Sequence, residues 1–247
     1  MMTDVRHSPG PDLLVPLELD RSLIADLPLF ADLSPQALDE VLALARAQHY
    51  PKNTPVFAQE EEAHHYFLLL HGRLRVTQVT PQGEQIVVRF VNPGDLFGVA
   101  MALGRRTYPG TATAIVDSLV LMWPNASWPT LVGRHPALAL NAMRAVGNRL
   151  QEAHARLREI STEETERRVA HAVLRLAAES GKPTEQGTLV DFPVRRQDIA
   201  EMTGTTLHSV SRIMSAWEAA GLVACGRQRI SLRDPVRLAA IAEGGED

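Results

Sequence analysis

The chain has 247 residues, 45% of them hydrophobic and 22% charged, with a formal net charge of −4. That is material for one large or two modest packed domains. No window approaches the roughly 18 uncharged apolar residues that a membrane helix needs, the first thirty residues hold acids and prolines instead of a signal-peptide core, and the lone Cys225 leaves no internal disulfide and no all-cysteine metal or iron–sulfur site within one chain. A cytoplasmic protein without a membrane partner is expected.

Residues 1–20 read as a flexible arm, because Pro9, Gly10, Pro11 and Pro16 disfavour regular structure. A short helix over 26–30 precedes a second one. Ser34 is placed to cap it and Pro35 suits its first position. Leu38, Val41, Leu42 and Ala45 form its apolar face, and it is predicted to run to about Ala47.

The period then changes. Between residues 50 and 123, short apolar runs alternate with turn signals such as Gly72, Pro81-Gln-Gly83 and Asn92-Pro-Gly94-Asp. Runs spaced in this way predict a β-sandwich or roll, able to enclose a ligand.

Residues 128–160 return to helix. Ala142, Val146, Leu150, Ala153, Leu157 and Ile160 recur at steps of 4, 4, 3, 4 and 3, a seam over about two and a half heptads. A helix over 136–160 would be roughly 37 Å long. The seam could face its own roll or a second copy. A parallel dimer is preferred here because a helix-turn-helix normally reads paired half-sites.

Ser161-Thr-Glu-Glu is placed to cap a further helix that reaches about Glu179, and Gly181-Lys-Pro breaks it. A short strand over 189–192 leads into residues 196–215, around which the rest of the chain is organised. Ala200 is small where two helices would cross. Gly204 stands where a turn needs positive φ, and Val210 and Ile213 pack the second helix back on the first. Thr205 or Thr206 can cap that second helix. Leu207, His208, Ser211 and Arg212 then share one outward face, the kind of face that enters the DNA major groove. Residues 222–232 read as a two-stranded wing, with Arg227 and Arg229 near its tip as phosphate contacts. Residues 195–237 carry seven arginines against four acids, +3 on a chain of −4. A local basic surface on an acidic protein suits a polyanion.

In order and motif, residues 21–237 resemble the Crp/Fnr superfamily of bacterial transcription regulators. The motifs carrying the resemblance are Asn92-Pro-Gly-Asp-Leu-Phe-Gly98 and residues 196–212. It implies an α+β architecture with an N-terminal cyclic-nucleotide-binding-like β-roll (21–130), a long dimerisation helix (131–160) and a C-terminal winged helix-turn-helix (161–247). It also implies a homodimer on a palindromic operator in double-stranded DNA, in contact with RNA polymerase. DNA contacts are expected from Arg196, Thr205, Thr206, Leu207, His208, Ser209, Ser211, Arg212, Arg227 and Arg229. The dimer contacts would be Ala142, Val146, Leu150, Ala153 and Leu157, and the effector pocket Gly98, Val99, Tyr108, Pro109 and Thr111.

Where the chain departs from the family, it speaks to the effector. Cyclic-AMP-binding members have a Glu after the glycine matching Gly98, and an Arg-Ser pair that holds the phosphate. Here those positions are Val99 and Tyr108-Pro109. An anion left unpaired in such a pocket costs kilocalories, so cyclic AMP is not expected. One cysteine also excludes the iron–sulfur cluster of the oxygen-sensing members. Residues 107–114 look like a stretch of the denitrification and nitric-oxide subgroup, which implies NO sensed through non-covalent haem b. The axial-ligand candidates are His64, His65, His71 and His7. An effector-independent or organic-ligand-responsive regulator is the alternative. A cupin-like metalloenzyme is the remote one, since the roll lacks a spaced His-x-His pair; no enzyme activity is expected.

Overall fold

A computed structural model describes residues 20–245. The arm over 1–20, and with it His7, lies outside the described residues apart from Asp20. Helix α1 (Pro35–Leu42) is capped as expected, with the Ser34 hydroxyl accepting from the Ala37 N–H at 3.2 Å. It ends five residues early because Arg46–Tyr50 is already strand β1, paired antiparallel with β8 (Ser118–Pro124). Residues 46–50 carry no apolar alternation, so the sequence hides this strand.

Two four-stranded sheets form the roll, in the orders β1-β8-β3-β6 and β2-β7-β4-β5. The remaining strands are β2 (Pro55–Phe57), β3 (His65–His71), β4 (Leu74–Val79), β5 (Gln85–Val91), β6 (Leu96–Phe97) and β7 (Thr111–Ala114). Strand alternation sends the side chains of β3 two ways. Phe67 and Leu69 enter the roll, while Tyr66 and Leu68 join α1 and the following helices in a second core with Trp123 and Leu138. Both faces are covered, which explains a run of buried residues from Tyr66 to Leu69. The β3–β4 turn needs Gly72. Its φ is +95°, and a Cβ there would stand 2.3 Å from Ser118 Oγ.

Helix α2 (Trp128–Arg134) leads to the 27-residue helix α3 (Pro136–Thr162). Its inner side holds Asn141, Ala142 and Glu159 buried. Ser161 and Thr162 do not cap the next helix. Their hydroxyls donate back to Leu157 and Arg158 carbonyls within α3, and α4 (Thr165–Ser180) starts after Glu164.

The C-terminal part packs α4, α5 (Arg196–Thr203), α6 (Leu207–Ala219) and α7 (Pro235–Glu243) on a four-stranded sheet, order β11-β12-β10-β9. Its strands are β9 (Gly181–Thr184), β10 (Gly187–Val190), β11 (Val223–Gly226) and β12 (Arg229–Leu232). The Gly181-Lys-Pro sequence therefore ends α4 by opening a strand. Val87 and Phe90 of the roll belong to the same apolar cluster as Val169, Ile199, Met214 and Trp217, so β5 lies against the C-terminal part.

Candidate nucleic-acid interface and effector cleft

Helices α5 and α6 meet at Gly204, which has φ +62° and caps α5 in the left-handed conformation that glycine adopts without strain. Val210 and Met214 are fully buried, and Ile213 and Trp217 nearly so. Trp217 Nε1 also donates to Glu166 Oε1 at 2.8 Å, which ties α6 to α4. Thr206 is the cap: its hydroxyl accepts from the Ser209 N–H at 3.1 Å and lies 3.0 Å from Ser209 Oγ. The Ser209 hydroxyl is thus already engaged at the helix start.

What the packing leaves outside is Thr206, Leu207, His208 and Arg212, all exposed, with Thr205, Ser209 and Ser211 half-exposed. Arg212 makes no hydrogen bond or ion pair within the described residues. Arg227 and Arg229 are exposed at the wing, where Gln228 turns the chain at φ +59°. Arg196 and Arg229 line a depression of about 380 Å³ together with Leu207 and Arg195. The first helix, the start of the second and the wing therefore share one basic surface.

Of the residues expected to form the effector pocket, Gly98 and Tyr108 both pack on Phe57 and Phe67. Tyr108 fills the roll instead of bordering a void. Its ring stacks on Phe57 at 3.9 Å, Phe67 stands beside it at 6.2 Å, and only 2% of it is exposed. Its hydroxyl donates to the His65 carbonyl (2.7 Å) and accepts from the His65 N–H (3.2 Å), and burial pushes its pKa to about 12. Gly98 abuts Phe67, and a Cβ added there would stand 2.6 Å from that ring. Pro109 is exposed, and the Thr111 hydroxyl accepts from the Gln59 N–H.

Val99 borders a cleft that lies outside the roll. This open cleft of about 490 Å³ lies between the roll and α3 and is lined by side chains including Tyr66, Leu96, Trp128, Met143 and Val146, with Asn125 as a polar group. A second depression of about 750 Å³ shares Met101, Asn125 and Pro129 with it and is lined by His64, His65 and Arg106. His64 is exposed and lies 3.6 Å from Glu62. His65 is half-buried, and burial lowers its pKa, with His64 and Arg46 adding to the effect. His71 stands at the far end of β3. Among the described residues, no three His, Cys, Asp or Glu gather as a metal-binding group.

On α3, Ala142 turns inward and is 8% exposed among roll residues. Met143, 70% exposed, stands at the open side of the cleft between the roll and α3, and Leu150, Leu157 and Ile160 continue the exposed row along the helix. Residues 143, 146, 150, 153, 157 and 160 step by 3, 4, 3, 4 and 3. This is a more regular seam than the one beginning at Ala142, and nothing among the described residues covers its outer side chains.

Two families match the chain. Residues 47–135 match the Cyclic nucleotide-binding domain, and residues 167–241 match the Crp-like helix-turn-helix domain. A Cyclic AMP receptor protein of Thermus thermophilus is 29% identical over 217 residues, covering 88% of this chain and 97% of that one. The Nitrogen fixation regulation protein FixK of Bradyrhizobium diazoefficiens is 29% identical over 209 residues, covering 83% and 85%. A CRP-family transcriptional regulator from Thermus thermophilus superposes with a TM-score of 0.69 at 26% identity, over 81% of this chain and 98% of its own. FixK2 from Bradyrhizobium japonicum, at 23% identity and a TM-score of 0.70 over 79% and 96%, shares the fold. Among the described residues no helix is long and apolar enough to cross a membrane.

Proposed function

Because the chain belongs to the Crp/Fnr superfamily of DNA-binding transcription regulators, we propose that it works as a homodimer which sets residues 206–212 of each copy into successive major-groove turns of a palindromic operator. The observation that carries this is the outer face of α6, where Leu207, His208 and Arg212 stand free on a helix whose other side is fully buried. Arg212 offers two forked donors to guanine O6 and N7. His208 has no carboxylate to accept from a base amino group, so it donates to a purine N7 or a phosphate. Arg196, Arg227 and Arg229 supply phosphate contacts.

The division of labour in this reading is sensing in residues 21–130, dimerisation in 131–160 and DNA binding in 161–247. The outer seam of α3 pairs with its copy, and RNA polymerase is met from the same assembly. The effector is a small, largely apolar group in the cleft between the roll and α3. The aromatic filling of the roll and the Val99 and Tyr108 positions speak against a cyclic nucleotide. Haem b remains the candidate group on the resemblance alone: among the described residues the cleft itself carries no histidine, His65 borders only the adjoining depression, and His71 stands at the far end of β3. Bound haem would supply an iron site for a diatomic gas.

Two experiments test the proposal. Full-length protein is used to select duplexes from a random pool. Inverted repeats spaced by one helical turn, about 10 base pairs centre to centre, are expected, and recovery of no common sequence refutes the DNA reading. Haem is then titrated into the protein and NO added. A Soret band that is lost in His65→Ala is expected, and a flat Soret region removes haem while leaving the DNA reading intact.

A further inference from the structure

Asp198, the third residue of α5, is 2% exposed and is held from two sides. From its own helix start, Arg195 gives it the backbone N–H (2.8 Å), Nη2 (2.8 Å) and Nε (3.3 Å). From the roll, Arg75 of β4 donates through Nη1 to the same Oδ1 that takes Arg195 Nη2. Burial raises the Asp198 pKa, but the Arg195 side chain and backbone and the Arg75 charge outweigh it, so the carboxyl sits below its usual range. Arg75 is 18% exposed, its Nε has no partner, and Asp198 is its acceptor.

The two arginines differ in what else they can reach. Arg75 is enclosed. Arg195 is 45% exposed and lines the same depression as Arg196, Leu207 and Arg229. It therefore stands on the basic surface and is the arginine there that an internal carboxylate restrains. One carboxylate cannot neutralise two guanidinium groups, so with Arg75 in place the trio carries a net +1. The hold on Arg195 is then shared, and a phosphate is a strong competing acceptor. With Arg75 withdrawn, Asp198 and Arg195 form a closed neutral pair.

The rest of the contact makes Arg75 a reporter of how the roll is seated. Val87 and Phe90 of β5 enter the C-terminal core, Gln85 Nε2 donates to Glu201 Oε2 at 3.0 Å, and Arg156 of α3 donates to the Val88 carbonyl. We infer that Arg75 is a positioning residue for DNA binding: when the roll is docked on α5, Arg75 takes up part of the Asp198 charge and frees Arg195 for an operator phosphate. This rests on the reading of α6 as the DNA-facing helix.

The test measures operator affinity against salt concentration for the full-length wild type, Arg75→Gln, Arg75→Lys, Arg195→Gln and the double variant R75Q/R195Q. One lost phosphate contact lowers the salt slope by about 0.9 and affinity by about five- to tenfold on every duplex alike. Arg75→Gln and Arg195→Gln should each show this, the double variant should be no worse than Arg195→Gln, and Arg75→Lys should restore the slope. A merely structural Arg75 would change thermal stability without moving the slope. An unchanged slope in Arg75→Gln, or losses that multiply in the double variant, overturns the inference. A wild type that selects no duplex overturns the DNA-facing reading beneath it, a separate result.

Discussion

Replacing Arg212 with Ala tests base reading with little confounding from stability. Arg212 is exposed and makes no hydrogen bond or ion pair within the described residues, so its loss should change folding free energy by no more than about 0.5 kcal/mol. If its guanidinium forks onto a guanine edge, removal costs about 1–3 kcal/mol of discrimination, or about five- to 150-fold in affinity for the selected operator. The loss should fall on one base pair per half-site. Arg196→Ala is the matched control: it should weaken all duplexes alike and reduce the salt slope by about 0.9. The assay is fluorescence anisotropy on the selected operator and on every single-base-pair change within a half-site, over a series of salt concentrations. If the two variants lose the same affinity on every sequence, with the same change in slope, the separation between a reading and a gripping arginine is wrong.

Placing Glu at both Leu150 and Leu157, 54% and 62% exposed on the outer seam of α3, should give a folded monomer in sedimentation equilibrium, and an intact dimer would move the interface elsewhere. Gly72→Ala should lower stability by about 2 kcal/mol or more, since strain at positive φ adds to the clash with Ser118; a thermal midpoint within a degree of wild type would contradict the turn geometry. Asp198 has a depressed native pKa, so its contribution is present above its unfolded pKa of about 3.9 and fades as pH falls through the native value. The stability gap between wild type and Asp198→Asn should accordingly hold steady from neutral pH to about pH 5 and narrow in more acid buffer. A gap that widens with acid would reverse the assigned sign.

The helix-turn-helix is legible in the sequence because four constraints coincide within 20 residues: a small residue, a glycine, buried apolar positions and a polar face. The roll is legible as a change of period, although β1 is not, because its residues gain order from pairing with β8 and not from an apolar face. The seam on α3 shows where periodicity stops informing. Ala142 and Met143 both continue an apolar pattern, and only the position of the roll decides that Ala142 turns inward. Tyr108 is legible as a departure at a family position but not as a ring that fills the roll, since that depends on Phe57, 51 positions away in the chain. The Arg75–Asp198 pair is silent in the sequence: two single charges 123 positions apart have neither spacing nor motif to join them.

These parts are mechanically continuous, and that continuity bears on how a cleft could be felt at the DNA face. Helix α3 borders the cleft through Met143 and Val146 and, further along, its Arg156 holds the Val88 carbonyl of β5. Its Glu159 takes Arg175 of α4 at 2.6 Å. A rigid helix that touches the cleft, the β5 strand and α4 cannot shift at one end without loading the contacts at the other. Packed interfaces respond to such loads by moving between discrete arrangements. The contact of the roll with α5 includes a buried donor without a partner, Arg75 Nε of β4, and a carboxylate with two claimants. Its docked state is held by the apolar packing of Val87 and Phe90 together with the Arg75–Asp198 and Gln85–Glu201 contacts, so a ligand-driven change in α3 that loosened this contact would also change how Asp198 divides its charge.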